Sequence, residues 1–136
     1  MPQIILDQPA MPESGAINIR VEYSGEIKVK ASVARRKASG YLLANVTNLS
    51  YGGHEPVLVL GERLVWRFPA MLSLPSYGEI GPIGVIDVDA TTGEVISLSP
   101  RVISQMQERA NALARRLPHK TAPRIRLPGR LRGDGA

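Results

Sequence analysis

Oxygen-bearing side chains crowd one short stretch of the sequence, Asp87-Val88-Asp89-Ala90-Thr91-Thr92-Gly93-Glu94. Carboxylates at alternate positions suit a hard cation such as calcium or magnesium. A helix–loop–helix calcium loop beginning at Asp87 would need glycine at its sixth position and a bidentate glutamate at its twelfth. Those positions hold Thr92 and Leu98, so the match fails at both. On a strand, Asp87 and Asp89 share one face and Val88 the other, which predicts a solvent-facing strand entering a turn at Gly93. A nucleophilic triad has one histidine to draw on in the body of the chain, His54, set in Tyr51-Gly52-Gly53-His54-Glu55 and read as a loop residue; His119 lies in the terminal stretch. G-x-S-x-G, H-E-x-x-H and the phosphate-loop pattern G-x-x-x-x-G-K-[ST] do not occur. With no cysteine, thiolate chemistry and disulfides are excluded. No catalytic, metal-binding or cofactor-binding residue is assigned, and the expectation is a non-enzymatic chain without a cofactor.

Charge supplies the stronger signal. The 136 residues carry a formal net charge of +5, distributed very unevenly. Residues 115–136 hold Arg115, Arg116, Lys120, Arg124, Arg126, Arg130 and Arg132 against the single acid Asp134, a net +6. The first 114 residues carry ten cations and eleven acids, a net −1. Six of the seven terminal cations are arginine, whose planar fork pairs bidentately with carboxylate or phosphate where a lysine offers a point charge. These seven residues are the expected partner-binding group. The expected partner is an acidic protein, such as a nuclease toxin; nucleic acid is the alternative, and a purely solubilising tail is the plain one. Arg35-Arg36-Lys37 forms a smaller cluster, read as an exposed polar face or an anion patch.

The length fits one domain. Pro2, Pro9, Pro12 and Gly15 punctuate residues 1–15, predicting an extended N-terminal arm or edge segment around Ile4 to Leu6. Residues 16–117 form the expected domain. Pro118, Pro123 and Pro128, with only Ile125, Leu127 and Leu131 as sizeable apolar groups, predict a disordered basic tail over residues 118–136.

Within the domain, Ile17, Ile19 and Val21 alternate with Asn18, Arg20 and Glu22, and residues 26–30 continue the alternation beyond Ser24-Gly25. That pattern predicts a hairpin. Ser32 is the expected cap of a helix reaching about Val46, with Val33, Ala34, Ala38, Tyr41, Leu42 and Val46 on one side and Gly40 weakening its middle. Residues 48–53 read as a turn-rich break. Strands are expected at residues 56–60 and 63–68, the latter placing Leu64, Trp66 and Phe68 on one face. Residues 72–82 read as a loop and a candidate contact surface, and residues 83–88 and 94–98 as a second hairpin. Ser99, Pro100 and the 3-4-3-4 spacing of Ile103, Met106, Ala110, Leu113 and Leu117 define the clearest helix, stopped by Pro118. The expected fold is α+β, with a mainly antiparallel sheet in the order β-β-α-β-β-β-β-α and two helices on one face.

The string from Gly84 to Leu98, GVIDVDATTGEVISL, resembles the terminal hairpin of PepSY-like domains, whose strands meet across a V-D-x-x-T-G-E-V turn. The likeness covers residues 33–98 and implies a small protein-binding module of inhibitor or sensor type. Those domains are commonly exported or membrane-tethered. Here no apolar run approaches the ~18 to 20 residues of a membrane span, and residues 1–10 lack the features of a secretory leader, so a cytoplasmic protein is expected. Trp66-Arg67-Phe68-Pro69 together with the segment from Val88 to Val95 is also similar to small prokaryotic partners of PIN-type ribonuclease toxins. Both likenesses imply an antitoxin-like or inhibitor-like interaction protein, and neither supplies catalytic residues.

Overall fold

The chain runs β1 (Gln3–Leu6), α1 (Ala31–Asn45), β2 (Ser50–Gly52), β3 (Val57–Leu60), β4 (Leu64–Leu74), β5 (Gly78–Asp89) and α2 (Pro100–Arg115) in a computed structural model. The structure describes residues 3–6, 14–18, 20, 22 and 24–118. The predicted disordered tail thus lies outside the described residues, apart from Pro118. The class is α+β as expected, but the five-stranded sheet is mixed: β1 pairs with β3 in parallel, and the other pairings are antiparallel.

The long strand β4 organises the sheet. β5 pairs along it from Val65 to Leu74, which fills one edge. β3 and β2 share the other edge end to end, opposite residues 64–67 and 70–72 respectively. Pro69 falls at the junction between them. A strand residue directs its N–H and C=O to the same edge, and the Pro69 carbonyl accepts from Gly53 N–H at 2.8 Å on the β2 side. Its missing donor therefore faces the seam between two short strands and the ladder to β5 is unharmed, so the strand continues where a proline suggests a stop. The expected end at Phe68 is corrected for this reason.

The same hairpin replaces the predicted loop over residues 72–82. Its turn is confined to residues 75–77, with Tyr77 N–H bonded to Leu74 C=O at 3.1 Å and Gly78 at φ +72°, a conformation that favours glycine. Register shifts between Ala70 and Met71, and again between Leu72 and Ser73, accommodate the Gly81-Pro82 pair within β5.

Two further expectations fail. None of the described residues between 14 and 30 lies in a strand, so the first predicted hairpin is absent there; Ile17 is 52% exposed and Ile27 47%. Alternation specifies which side chains share a face without supplying a neighbouring strand. Residues 28–30 instead lie along the turn after β5: the N–H groups of Lys28 and Val29 both reach the Ala90 carbonyl at 2.9 Å, and the Trp66 indole donates to Val29 C=O at 2.9 Å. Conversely, Ser50–Gly52, expected as part of a turn, forms a strand too short for any periodicity to show. Beyond β5, the second predicted hairpin is reduced to one bridge between Val88 and Val95.

Both helices pack on one sheet face. The continuous core joins Ala34, Ala38 and Leu42 of α1 and Met106 and Ala110 of α2 to Leu64, Trp66, Phe68, Ala70 and Leu72 of β4, together with Ile83, Ile86 and Val88 of β5. α1 begins after Lys30, whose side chain makes no capping bond, so the expected cap Ser32 lies inside the first turn. α2 begins as predicted: Ser99 accepts from Val102 N–H at 3.2 Å, with Pro100 in the first position. No helix among the described residues is long and apolar enough to cross a membrane.

Candidate functional site

Asp87 stands directly opposite Arg67 across the β4–β5 ladder. Arg67 donates from Nε to Oδ1 at 2.8 Å and from Nη2 to Oδ2 at 2.9 Å, engaging both carboxylate oxygens. This two-point pair lies on the sheet face away from the helices and fixes both side chains in a planar geometry.

Asp89 has a different role and a different exposure from the predicted one. It is buried, not solvent-facing. Its Oδ1 accepts from the backbone N–H groups of Thr91 and Thr92, both at 2.8 Å, closing the turn that follows β5. Burial pushes the carboxyl pKa up; the amide bonds from Thr92 and Thr91, the charge of Arg63 and the Thr92 hydroxyl outweigh it, leaving the pKa below the ordinary value. Arg63 also reaches Glu94, at 3.3 Å, and so links the two sides of the turn. The three acids that the sequence brings together therefore hold a turn and a ladder. No three His, Asp or Glu residues among the described residues converge as a metal-binding group.

His54 is exposed, as a loop histidine should be. Its Nε2 accepts from Arg35 Nη2 at 3.1 Å. Arg35 Nε also donates to the carbonyls of Gly52 and Gly53, at 2.9 and 3.2 Å, so Arg35 is a strut between α1 and β2, not part of a free polar face. Lys37 does the same on the other flank of the helix through Gly93 C=O at 3.2 Å, while Arg36 is exposed. The sequence gives no local sign of these contacts, because Arg35 and Gly52 are 17 residues apart.

Beside Gly52 in β2, Tyr51 donates its hydroxyl to Glu79 Oε1. That bond, then burial and the charge of Glu79, raise the phenol pKa against the opposing charge of Arg35. Tyr77 of the turn between β4 and β5 donates to the carbonyl of Pro118 at 2.6 Å. The predicted contact segment and the start of the predicted tail thus meet in space. Arg115, in the last turn of α2, and Arg116, its cap, are exposed beside that junction. Lys120, Arg124, Arg126, Arg130 and Arg132, the other expected partner-binding residues, lie outside the described residues.

Comparison with protein-family models, curated proteins and solved structures finds no match for this chain.

Proposed function

We propose that the chain is a non-enzymatic protein-binding module of antitoxin or inhibitor type, whose Arg-rich C-terminal segment engages an acidic partner. The observation that carries this reading is the exposed pair Arg115 and Arg116 at an α2 terminus tied by Pro118 to Tyr77. Residues 115–136, which begin at this point, carry a net charge of +6. The employment of Asp87, Asp89 and Glu94 in internal contacts supports the same reading, since each already has a structural partner. A metal-dependent nuclease is a fitting partner, because its carboxylate cluster receives a guanidinium in place of the cation's charge.

Truncation after Pro118 tests this while retaining the bond to Tyr77. The partner recovered with the full chain is titrated calorimetrically against both forms at low and at high salt. Affinity should fall at least about tenfold on truncation, most strongly at low salt. Equal affinity at both salt concentrations would remove the segment from the mechanism.

A further inference from the structure

The side of β2 that faces away from β4 is covered by α1. Gly52 stands opposite Ala70 of β4, and its N–H and C=O both turn toward the helix: the N–H donates to Ser39 Oγ at 2.9 Å and the C=O accepts from Arg35 Nε at 2.9 Å. The approach is close, since a Cβ on Gly52 would lie 3.3 Å from Ser39 Oγ and 3.5 Å from both Ala38 Cβ and the Arg35 carbonyl oxygen. Two helical side chains thus satisfy backbone groups that a further strand would otherwise pair. Arg35 extends the clamp to Gly53 C=O at 3.2 Å and to His54 Nε2 at 3.1 Å. One guanidinium therefore holds three consecutive residues.

Of those three acceptors only the imidazole titrates. A guanidinium has donors and no acceptor, so His54 Nε2 presents its lone pair to Arg35 and the proton of the neutral ring sits on Nδ1. A second proton would remove the acceptor and bring two cations into contact, a repulsion worth about fivefold in an equilibrium even at the dielectric constant of water. The charged and titratable groups around His54 are Arg35 of α1, Glu55 next to it in the chain, Tyr51 of β2, and Glu79 of β5, which accepts the Tyr51 hydroxyl. β4 contributes Pro69 and Met71 beside Gly53, and these carry no charge. Carboxylates ordinarily titrate near about 4 and phenols near about 10, so between about pH 5 and 8 the imidazole is the group that changes charge.

We propose that Arg35 and His54 form an acid-sensitive latch on the outer edge of β2. Neutral His54 completes the clamp. Protonated His54 repels Arg35 from the carbonyls of Gly52 and Gly53 and uncovers the strand edge beneath it. The latch belongs to the folded body and does not depend on the C-terminal segment, so this inference and the proposed function can fail separately.

The test follows hydrogen exchange of the full chain by NMR from about pH 8 to 5, with each rate divided by the intrinsic rate at the same pH. Protection of the Arg35 Nε–H and of the Gly52 amide should fall about three- to fivefold across the ordinary imidazole range, while the Phe68 amide of β4 keeps its protection. His54→Gln supplies an amide oxygen that accepts from Arg35 and does not titrate, so both protections should become independent of pH over this range. Constant protection at either position in the wild type would overturn the proposal. An equal fall in the His54→Gln variant would overturn it too, by assigning the change to Glu55 or Glu79.

Discussion

Tyr77 and Pro118 are 41 residues apart in sequence, yet the tyrosine hydroxyl donates to the proline carbonyl at 2.6 Å. The bond fastens the end of α2 to the tip of the β4–β5 hairpin. It brings Arg115 and Arg116 beside the hairpin.

Tyr77→Phe should therefore leave the fold intact and loosen this end of it. The bond is solvent-exposed, so the decrease in global stability should be no more than about 0.5 to 1 kcal/mol. Amide exchange at Arg116 and Leu117, whose N–H groups bond to Leu113 and Ala114 carbonyls at 3.2 Å, should accelerate while the amides of β4 keep wild-type protection. Unaltered exchange at both positions would show that the bond does not restrain the helix end.

Asp89 gives the acid limb of stability a defined direction. Its carboxyl is buried, which raises its pKa, but the amides of Thr92 and Thr91, the Arg63 charge and the Thr92 hydroxyl bring the net value below the usual one. In the unfolded chain an aspartate titrates near about 3.9. The ionised side chain consequently contributes its full stabilisation above that pH, and the contribution disappears as the pH falls through the lower folded value. Asp89→Asn should be less stable at neutral pH by about 1 kcal/mol and should lose less stability than wild type on acidification below about pH 4. Urea unfolding followed across the acid range measures both effects; parallel curves for the two proteins would contradict this assignment.

Gly53 and Gly40 should respond oppositely to alanine. A Cβ on Gly53 would lie 2.7 Å from Pro69 Cγ and 3.1 Å from Met71 Cγ, and the proline ring has little freedom to move away. Gly53→Ala should destabilise by about 1 to 3 kcal/mol. Gly40 is inside α1, and a Cβ there would meet nothing within 4 Å, so Gly40→Ala should stabilise by up to about 1 kcal/mol. Denaturant midpoints of the two variants provide the comparison, and a shift of the same sign in both would refute the packing around β2.

Elements were readable wherever the signal was local. Ser99, Pro100 and the spacing of Met106 and Ala110 specify the start and inner face of α2, and the structure buries those two side chains. Leu64, Trp66 and Phe68 share the buried face of β4 in the same way. The inference failed where a residue's local tendency is reversed by its neighbours. Pro69 ends a strand in isolation but is harmless opposite the seam between β3 and β2, and the described residues of 16–22 alternate in sequence without lying in a strand. The candidate site divides along the same line: the crowding of cations at residues 35–37 and 115–136 is visible in the sequence, whereas the Arg67–Asp87 pair and the Arg35 strut are not.

By itself, then, the sequence determined composition, charge separation and the helical faces, because side-chain spacing and cap chemistry act within a few residues. The tertiary structure alone decided which edges were occupied, that β1 runs parallel to β3, and that Asp87 and Asp89 hold the fold together. Those outcomes depend on groups brought together from distant positions, and hydrogen bonds and ion pairs have no energetic meaning until their partners are in place.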